Sequence, residues 1–239
     1  MSKRLLGNPK VWDFVAKQAK SENGILRGGW KNSYTGEYFS DEEMQEYADD
    51  VYEKLKDYLH NDTVCLEIGC ASGLTMYRIA PYCKKYIGTD QANKNLEINK
   101  KINDDNGISN IELIQCRADE IDQRTVGKVD VVIFNSVCQY FDDEEYMLDV
   151  FEKCAALIPE EGVIYYGDIR DADLLGEYKK SLYEYKAKDD NRFVSNAIEH
   201  AENGSELLFK REFFERLTER YDFAGGWRLR GSTAVSGMR

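Results

Sequence analysis

Histidine is almost missing from this sequence: His60 and His200 are the only two in 239 residues. Neither falls within a strand-end motif, which argues against a histidine-based dyad or triad and limits how strong a base the site can own. No two of the six cysteines (Cys65, Cys70, Cys83, Cys116, Cys138, Cys154) form a C-x-x-C pair. Most lie in apolar runs, so free buried thiols in a reducing cytoplasm are expected rather than disulfides or zinc. No apolar run approaches the ~18 residues of a membrane span. The start, Met1-Ser2-Lys3-Arg4-Leu5-Leu6, has no signal-peptide stretch. The expectation is a cytoplasmic protein without a membrane partner. Bases are also short, 32 against 44 acids for a net charge of −12. That argues against nucleic acid, whose phosphates require a basic surface.

What is present centres on Val64-Cys65-Leu66-Glu67-Ile68-Gly69-Cys70-Ala71-Ser72-Gly73. A continuous apolar run suits a strand buried on both faces, and Leu74, Met76, Tyr77, Ile79 and Ala80 follow at helical spacing. A small-residue turn between strand and helix lets backbone approach a nucleotide-like ligand. A dinucleotide turn requires glycines at 69, 71 and 74, and here position 71 is Ala and 74 is Leu. Glu67 is expected to project its acid towards the crevice. It would repel a pyrophosphate but favour the ammonium or sulfonium of S-adenosylmethionine. Tyr86-Ile87-Gly88-Thr89-Asp90 is a second strand. Its Asp90, 21 residues after Gly69, stands at the usual distance for a carboxylate that takes ribose hydroxyls.

The rest of the chain alternates. Ser40 and Glu43 form a capping box, and Met44, Tyr47, Val51, Leu55 and Tyr58 repeat at helical spacing. Strands are predicted at 64–68, 86–89, 110–115, 128–135 and 163–166, with helices at 74–82, 93–103 and 144–157. A long helix is expected over 174–200, another over 209–221 and a sixth strand over 226–230. No seventh strand is evident after that. Val11, Trp12, Phe14, Val15 and Ala16 suggest a short amphipathic helix before a polar aromatic loop, 28–37. The rhythm implies an α/β, Rossmann-like, mostly parallel sheet with helices on both faces and its ligands at the carboxyl ends of the strands. The expected organisation is an N-terminal lid and helix (1–60) on a catalytic domain (61–239).

The glycine turn with its preceding acid resembles that of class I S-adenosylmethionine-dependent methyltransferases. Asn135-Ser136-Val137-Cys138-Gln139-Tyr140-Phe141, the Trp30-to-Glu37 loop, Gly167-Asp168-Ile169-Arg170 and Glu206-Leu207-Leu208 sharpen the resemblance. Together they are similar to the N-methyltransferase domains of nonribosomal peptide synthetases, over about Trp30 to Leu217. Cys70 and Gln91 depart from that pattern.

The resemblance implies N-methylation of the α-amine of an amino acid or of an aminoacyl or peptidyl thioester, either as a free small molecule or tethered to a carrier protein acting in trans. It implies S-adenosyl-L-methionine as cofactor, held by Trp30, Tyr34, Glu67, Gly69, Cys70, Ala71, Asp90, Gln91, Ala118, Asp119, Asn135 and Ser136. Asn135, Gln139, Tyr140 and Asp168 are the candidate catalytic residues, and Gln139, Tyr140, Asp168 and Arg170 the candidate substrate contacts. No metal is expected. Plainer roles stand beside these: Asp119 as a turn cap, Asn135 satisfying strand-end backbone, Tyr34 as loop packing and Arg170 as a surface ion pair. Lys179, Lys180, Lys186 and Lys188 could meet an acidic carrier or be a solvated face. Methylation of oxygen, or of another free small molecule, and a non-catalytic cofactor-binding domain are the alternatives.

Overall fold

Five short runs rich in β-branched and aromatic residues pair into one all-parallel sheet. In the computed structural model, which describes residues 7–18, 24 and 28–220, they are β1 (Val64–Ile68), β2 (Lys85–Asp90), β3 (Ile111–Gln115), β4 (Val131–Asn135) and β5 (Val163–Gly167). The order is β3-β2-β1-β4-β5. The expected Rossmann-like arrangement is therefore present, with its switch point between β1 and β4. The register sets Ile68 beside Thr89 and Phe134, and Asn135 beside Gly167. The residues after β1, β4 and β5 thus emerge together on one edge.

Strand alternation divides the core. Leu66, Ile68, Ile87, Val132 and Phe134 face one side with Met147, Val150 and Phe151 of α6 (Glu144–Ala155) and Phe213, Phe214 and Leu217 of α9 (Arg211–Arg220). Cys65, Tyr86, Val131 and Ile133 face the other. There they meet Val51 and Leu55 of α2 (Asp41–Leu55) and Met76 and Ile79 of α3 (Leu74–Ile79). Helices therefore cover both faces. All six cysteines are free, and five are buried.

The predicted capping box is present: Glu43 N–H donates to Ser40 Oγ at 3.2 Å and Ser40 N–H to Glu43 Oε2 at 2.8 Å. The amphipathic start is α1 (Pro9–Gln18). It docks on α4 (Asn93–Asn106), where Asp13 Oδ1 accepts from Lys94 N–H at 2.8 Å and so caps a helix remote in sequence. A four-residue helix, α5 (Gln123–Val126), links β3 to β4.

One predicted helix is two. Residues 174–200 divide into α7 (Leu175–Lys186) and α8 (Arg192–Asn203). Asn191 accepts from Phe193 and Val194 N–H and starts the second helix. The two fold back on each other around Leu182, Val194 and Ile198. The sixth strand expected at 226–230 lies outside the described residues. No described helix is long and apolar enough to cross a membrane.

Candidate active site

The turn after β1 is held by its neighbour strand. Gly69 and Cys70 N–H both donate to Thr89 O at 2.8 Å. Gly69 has φ 74°, and a Cβ there would lie 2.6 Å from Val137 Cγ2, so only glycine fits. Asp90 ends β2 with both oxygens engaged: Ala71 N–H donates to Oδ2 at 2.9 Å and Ala92 N–H to Oδ1 at 2.8 Å. Burial pushes its carboxyl up to about 6, against the lowering effect of those two N–H groups. Each oxygen keeps a lone pair for a further donor.

Three non-glycine residues of the described chain have positive φ: Ala71 (43°), Ser136 (55°) and Asp168 (52°). They follow β1, β4 and β5 in turn, so backbone strain is concentrated where the strand ends meet. Along this edge runs a cavity of about 1320 Å³, whose lining includes Trp30, Gly69, Ala71, Asp90, Gln91 and Ala118, and further along Asn135, Ser136, Tyr140, Asp168 and Arg170.

Five expected contact residues are placed differently, Gln139 among them: it is 1% exposed and outside the lining. Glu67 is 3% exposed and outside the lining. It shares the Cys65 face of β1, because side chains two apart on a strand point the same way. That turns its carboxylate away from the crevice and onto Tyr86, whose hydroxyl donates to Oε2 at 3.0 Å. Asp119 is bound by Arg117 (2.8 and 3.2 Å) and by the Tyr146 hydroxyl (3.1 Å), while its neighbour Ala118 lines the cavity. Tyr34 donates to or accepts from Ser181 Oγ at 2.8 Å and packs on Tyr185, so its ring ties the 30–39 hairpin to α7. Cys70 is buried behind the turn. Tyr34 thus has the loop-packing role, while Asp119 is held in an ion pair and it is Glu120 that accepts from Arg117 N–H at the turn.

The hairpin itself closes through Phe39 N–H to Trp30 O and Asn32 N–H to Glu37 O. Trp30 rests on Tyr47 at 5.2 Å, and its Nε1 lies beside Gly28, within reach of the Ser72 side of the turn. Gln91 Nε2 donates to Gly7 O at 2.9 Å, so the N-terminal segment crosses above it. Trp12 of α1 packs on Tyr140 with ring centres 5.0 Å apart. The sequence pattern had marked Trp12 only as part of an amphipathic helix.

At the β4 and β5 ends, Asn135 Nδ2 donates to Thr75 Oγ1 at 2.9 Å. Its Oδ1 lies over Gly167, where a Cβ would come within 2.3 Å of it. Gln139 Nε2 donates to Ser136 Oγ at 3.0 Å. Arg170 is no surface pair: it donates to Asp168 Oδ1 at 2.9 Å and Glu206 Oε2 at 3.0 Å, with side-chain exposures of only 16%, 11% and 31%. Glu206 had stood out in the sequence only as a landmark. Its segment is fixed by Leu207 N–H to Gln139 O and Phe209 N–H to Arg170 O. Two carboxylates around one guanidinium leave this end net anionic. Among the buried atoms without a hydrogen-bond partner are the acceptors Asp168 Oδ2 and, behind the lining, Gln139 Oε1 at this end, and the donor Trp30 Nε1 at the glycine-turn end.

The profile of a methyltransferase domain family matches residues 59–219. The chain belongs to that family. This methyltransferase domain is 32% identical over 201 residues to chondramide synthase cmdD of Chondromyces crocatus, covering 81% of the chain and 5% of the synthase. It is 31% identical over 203 residues to the beauvericin nonribosomal cyclodepsipeptide synthetase of Beauveria bassiana, covering 81% of the chain and 6% of the synthetase. The chain thus spans about a twentieth of the length of such relatives.

Among solved structures, the N-methyltransferase NodS from Bradyrhizobium japonicum WM9 with S-adenosyl-L-homocysteine superposes with TM-score 0.58, at 15% identity over 88% of this chain and 84% of that one. Magnesium protoporphyrin IX methyltransferase (ChlM) from Synechocystis PCC 6803 gives 0.55, at 14% identity over 90% and 84%. At these identities the likeness is one of fold. The resemblance read from the sequence is met: a methyltransferase domain, similar to stretches of nonribosomal peptide synthetases.

Proposed function

We propose that the chain N-methylates the α-amine of an amino acid or of an aminoacyl or peptidyl thioester in nonribosomal peptide-type synthesis, with S-adenosyl-L-methionine as methyl donor. The observation that carries the nitrogen is the unpartnered acceptor Asp168 Oδ2 in the lining of a net-anionic pocket. A neutral primary amine gives one N–H to such an acceptor, has a second to spare and keeps its lone pair for the methyl, whereas a carbon offers no donor. A buried acceptor left unmatched costs about 1–3 kcal/mol, so a ligand that satisfies it is favoured over one that does not.

The other end fits the donor. The Gly69–Ser72 turn brings backbone close, Asp90 has lone pairs for a diol, and Trp30 Nε1 is a buried donor without an acceptor. S-adenosylmethionine brings a methyl already activated on a sulfonium. The protein's task is then to hold the amine, keep water out and accept a proton. Trp12, Trp30 and Tyr140 close the cavity with aromatic surface. In this reading Asp168 Oδ2 accepts an amine N–H and turns the nitrogen lone pair towards the cofactor side. A nitrogen beside an ester or thioester is weakly basic, so a carboxylate suffices. A carrier protein acting in trans fits the tethered form of this substrate.

The test is mass spectrometry on aminoacyl N-acetylcysteamine thioesters, run beside matching hydroxyacyl thioesters and free amino acids. Addition of one methyl to the amine supports the proposal. A protein that binds S-adenosylmethionine but methylates only the hydroxyacyl probes sinks it.

A further inference from the structure

At the acceptor end one guanidinium stands between two carboxylates, and it serves Asp168 with one oxygen only. Arg170 Nε–H donates to Glu206 Oε2 at 3.0 Å and Nη1–H to Asp168 Oδ1 at 2.9 Å. Asp168 lines the cavity, and its Oδ2 is buried without a hydrogen-bond partner. A guanidinium facing a carboxylate favours the fork, two parallel N–H···O bonds with one to each oxygen. Here that fork is not made.

The backbone shows why neither acid can move to change this. Asp168 follows β5 with φ 52°, and the carbonyl of Gly167 before it accepts from Ser136 N–H at 3.1 Å. Glu206 sits in a segment tied to the same sheet end. Leu207 N–H donates to Gln139 O at 2.8 Å, Phe209 N–H to Arg170 O at 2.9 Å, and Ala172 N–H to Phe209 O at 2.9 Å. The two acids are therefore fixed posts, and the guanidinium is shared between them. Bringing a second N–H of this rigid plane onto Oδ2 pulls Nε away from Glu206.

We propose that Glu206 is a positioning residue for the methyl acceptor: by holding the Nε edge of Arg170 it restricts the guanidinium to one bond on Asp168 and keeps Asp168 Oδ2 open to a ligand N–H. This rests on the N-methylation reading for what Oδ2 meets, but not for how Oδ2 is kept open. With Asp168 alone, Arg170 would neutralise the acid and cover both its oxygens. The second carboxylate leaves one net negative charge at the pocket and one open oxygen within it. Glu206 also lines the cavity, but its effect runs through Arg170 and Asp168.

The experiment compares crystal structures of the full native chain, Glu206→Ala and Glu206→Gln. In the native protein Oδ2 receives no Arg170 N–H. In Glu206→Ala the Nε edge is released, and Arg170 donates to both Asp168 oxygens with N···O below about 3.2 Å. Glu206→Gln still offers a carbonyl oxygen to Nε–H and keeps the native arrangement. An Arg170 that stays on Oδ1 alone in Glu206→Ala, or a fork already closed in Glu206→Gln, overturns the proposal.

These structures need no substrate. If they come out as expected while the native protein methylates no amine, the N-methylation reading fails by itself and the positioning of Oδ2 stands. With an aminoacyl thioester that is turned over, Glu206→Ala lowers kcat by about tenfold or more, while the calorimetric Kd for S-adenosylhomocysteine stays within about twofold. Glu206→Gln restores most of the turnover. In an Asp168→Asn background Glu206→Ala costs nothing further, since the two residues act in series. A further loss of equal size there means that Glu206 touches the substrate itself. A matching loss of S-adenosylhomocysteine affinity marks a merely structural role. Either result overturns the proposal.

Discussion

At the scale of single residues, Asp90 is the proposed link between the ligand and the fold. Its two oxygens hold Ala71 and Ala92 N–H, and burial raises its carboxyl from 3.8 to about 6. A raised acid binds more protons folded than unfolded, so its contribution to stability is lost as pH rises from about 3.8 to about 6. Ligand binding runs the other way, because hydroxyls donate to the carboxylate form. The Kd for S-adenosylhomocysteine is expected to weaken about tenfold from pH 7 to pH 5, one unit below the Asp90 value. Asp90→Asn should weaken it at every pH, since an amide N–H must then face a backbone N–H. A native Kd flat across this range, with circular dichroism unchanged, refutes the diol role.

Asp168 gives a second residue-scale prediction. Its φ of 52° tolerates Asn well and Ala poorly, so Asp168→Asn keeps the fold while removing the charge. Turnover of an aminoacyl thioester should fall by roughly 10²-fold, with S-adenosylhomocysteine affinity little changed. Equal losses in both place Asp168 in the cofactor site instead. The strand-end placement of Asp90 and Asp168 was readable from motif position. Glu67 was not, because the motif names an acid but only the alternation of β1 shows which face it takes. Glu206 could have been found as the acid that balances an arginine two positions after Asp168.

At the scale of elements, local signals explain both the successes and the miss. The strands were legible because apolar runs ended in small or polar residues, and Ser40 with Glu43 gave away the start of α2. Removing that cap by Ser40→Ala should cost about 1 kcal/mol, or ~2–4 °C in Tm for a chain of this size. A change below half a degree shows that tertiary packing of Met44, Tyr47 and Val51 alone holds the helix end. The division between α7 and α8 was missed because no glycine or proline marks it. Lys188-Asp189-Asp190-Asn191 breaks the helix by capping chemistry instead: Asn191 closes the new N-terminus, and Asp189 N–H returns to Tyr185 O. Reading Asn191 as an N-cap inside a helical pattern was the available signal.

At the scale of the molecule, the 30–39 hairpin bridges both ends of the cavity. Trp30 lies over the glycine turn, while the hairpin tip is fastened to the α7–α8 pair. Tyr34 meets Ser181, Asn191 Nδ2 donates to Tyr34 O at 3.1 Å, and Gly36 lies under the Phe193 ring. A Cβ on Gly36 would come within 2.2 Å of that ring at a φ of 78°. Gly36→Ala must therefore lift the tip from α8, since neither the backbone nor the packed ring can absorb it. The sequence showed a glycine-bracketed loop but not what it fastens to, because the partner lies about 150 residues away and only folding brings them together. Hydrogen exchange should accelerate together in 30–39, α7 and α8 of Gly36→Ala, with the strands unchanged. S-adenosylhomocysteine should dissociate faster, because Trp30 loses its anchor. Tyr34→Phe removes one hydroxyl contact, about 1 kcal/mol, and should show the same pattern more weakly. If exchange rises in the hairpin alone, the helical pair stands by itself and the two ends of the cavity open independently.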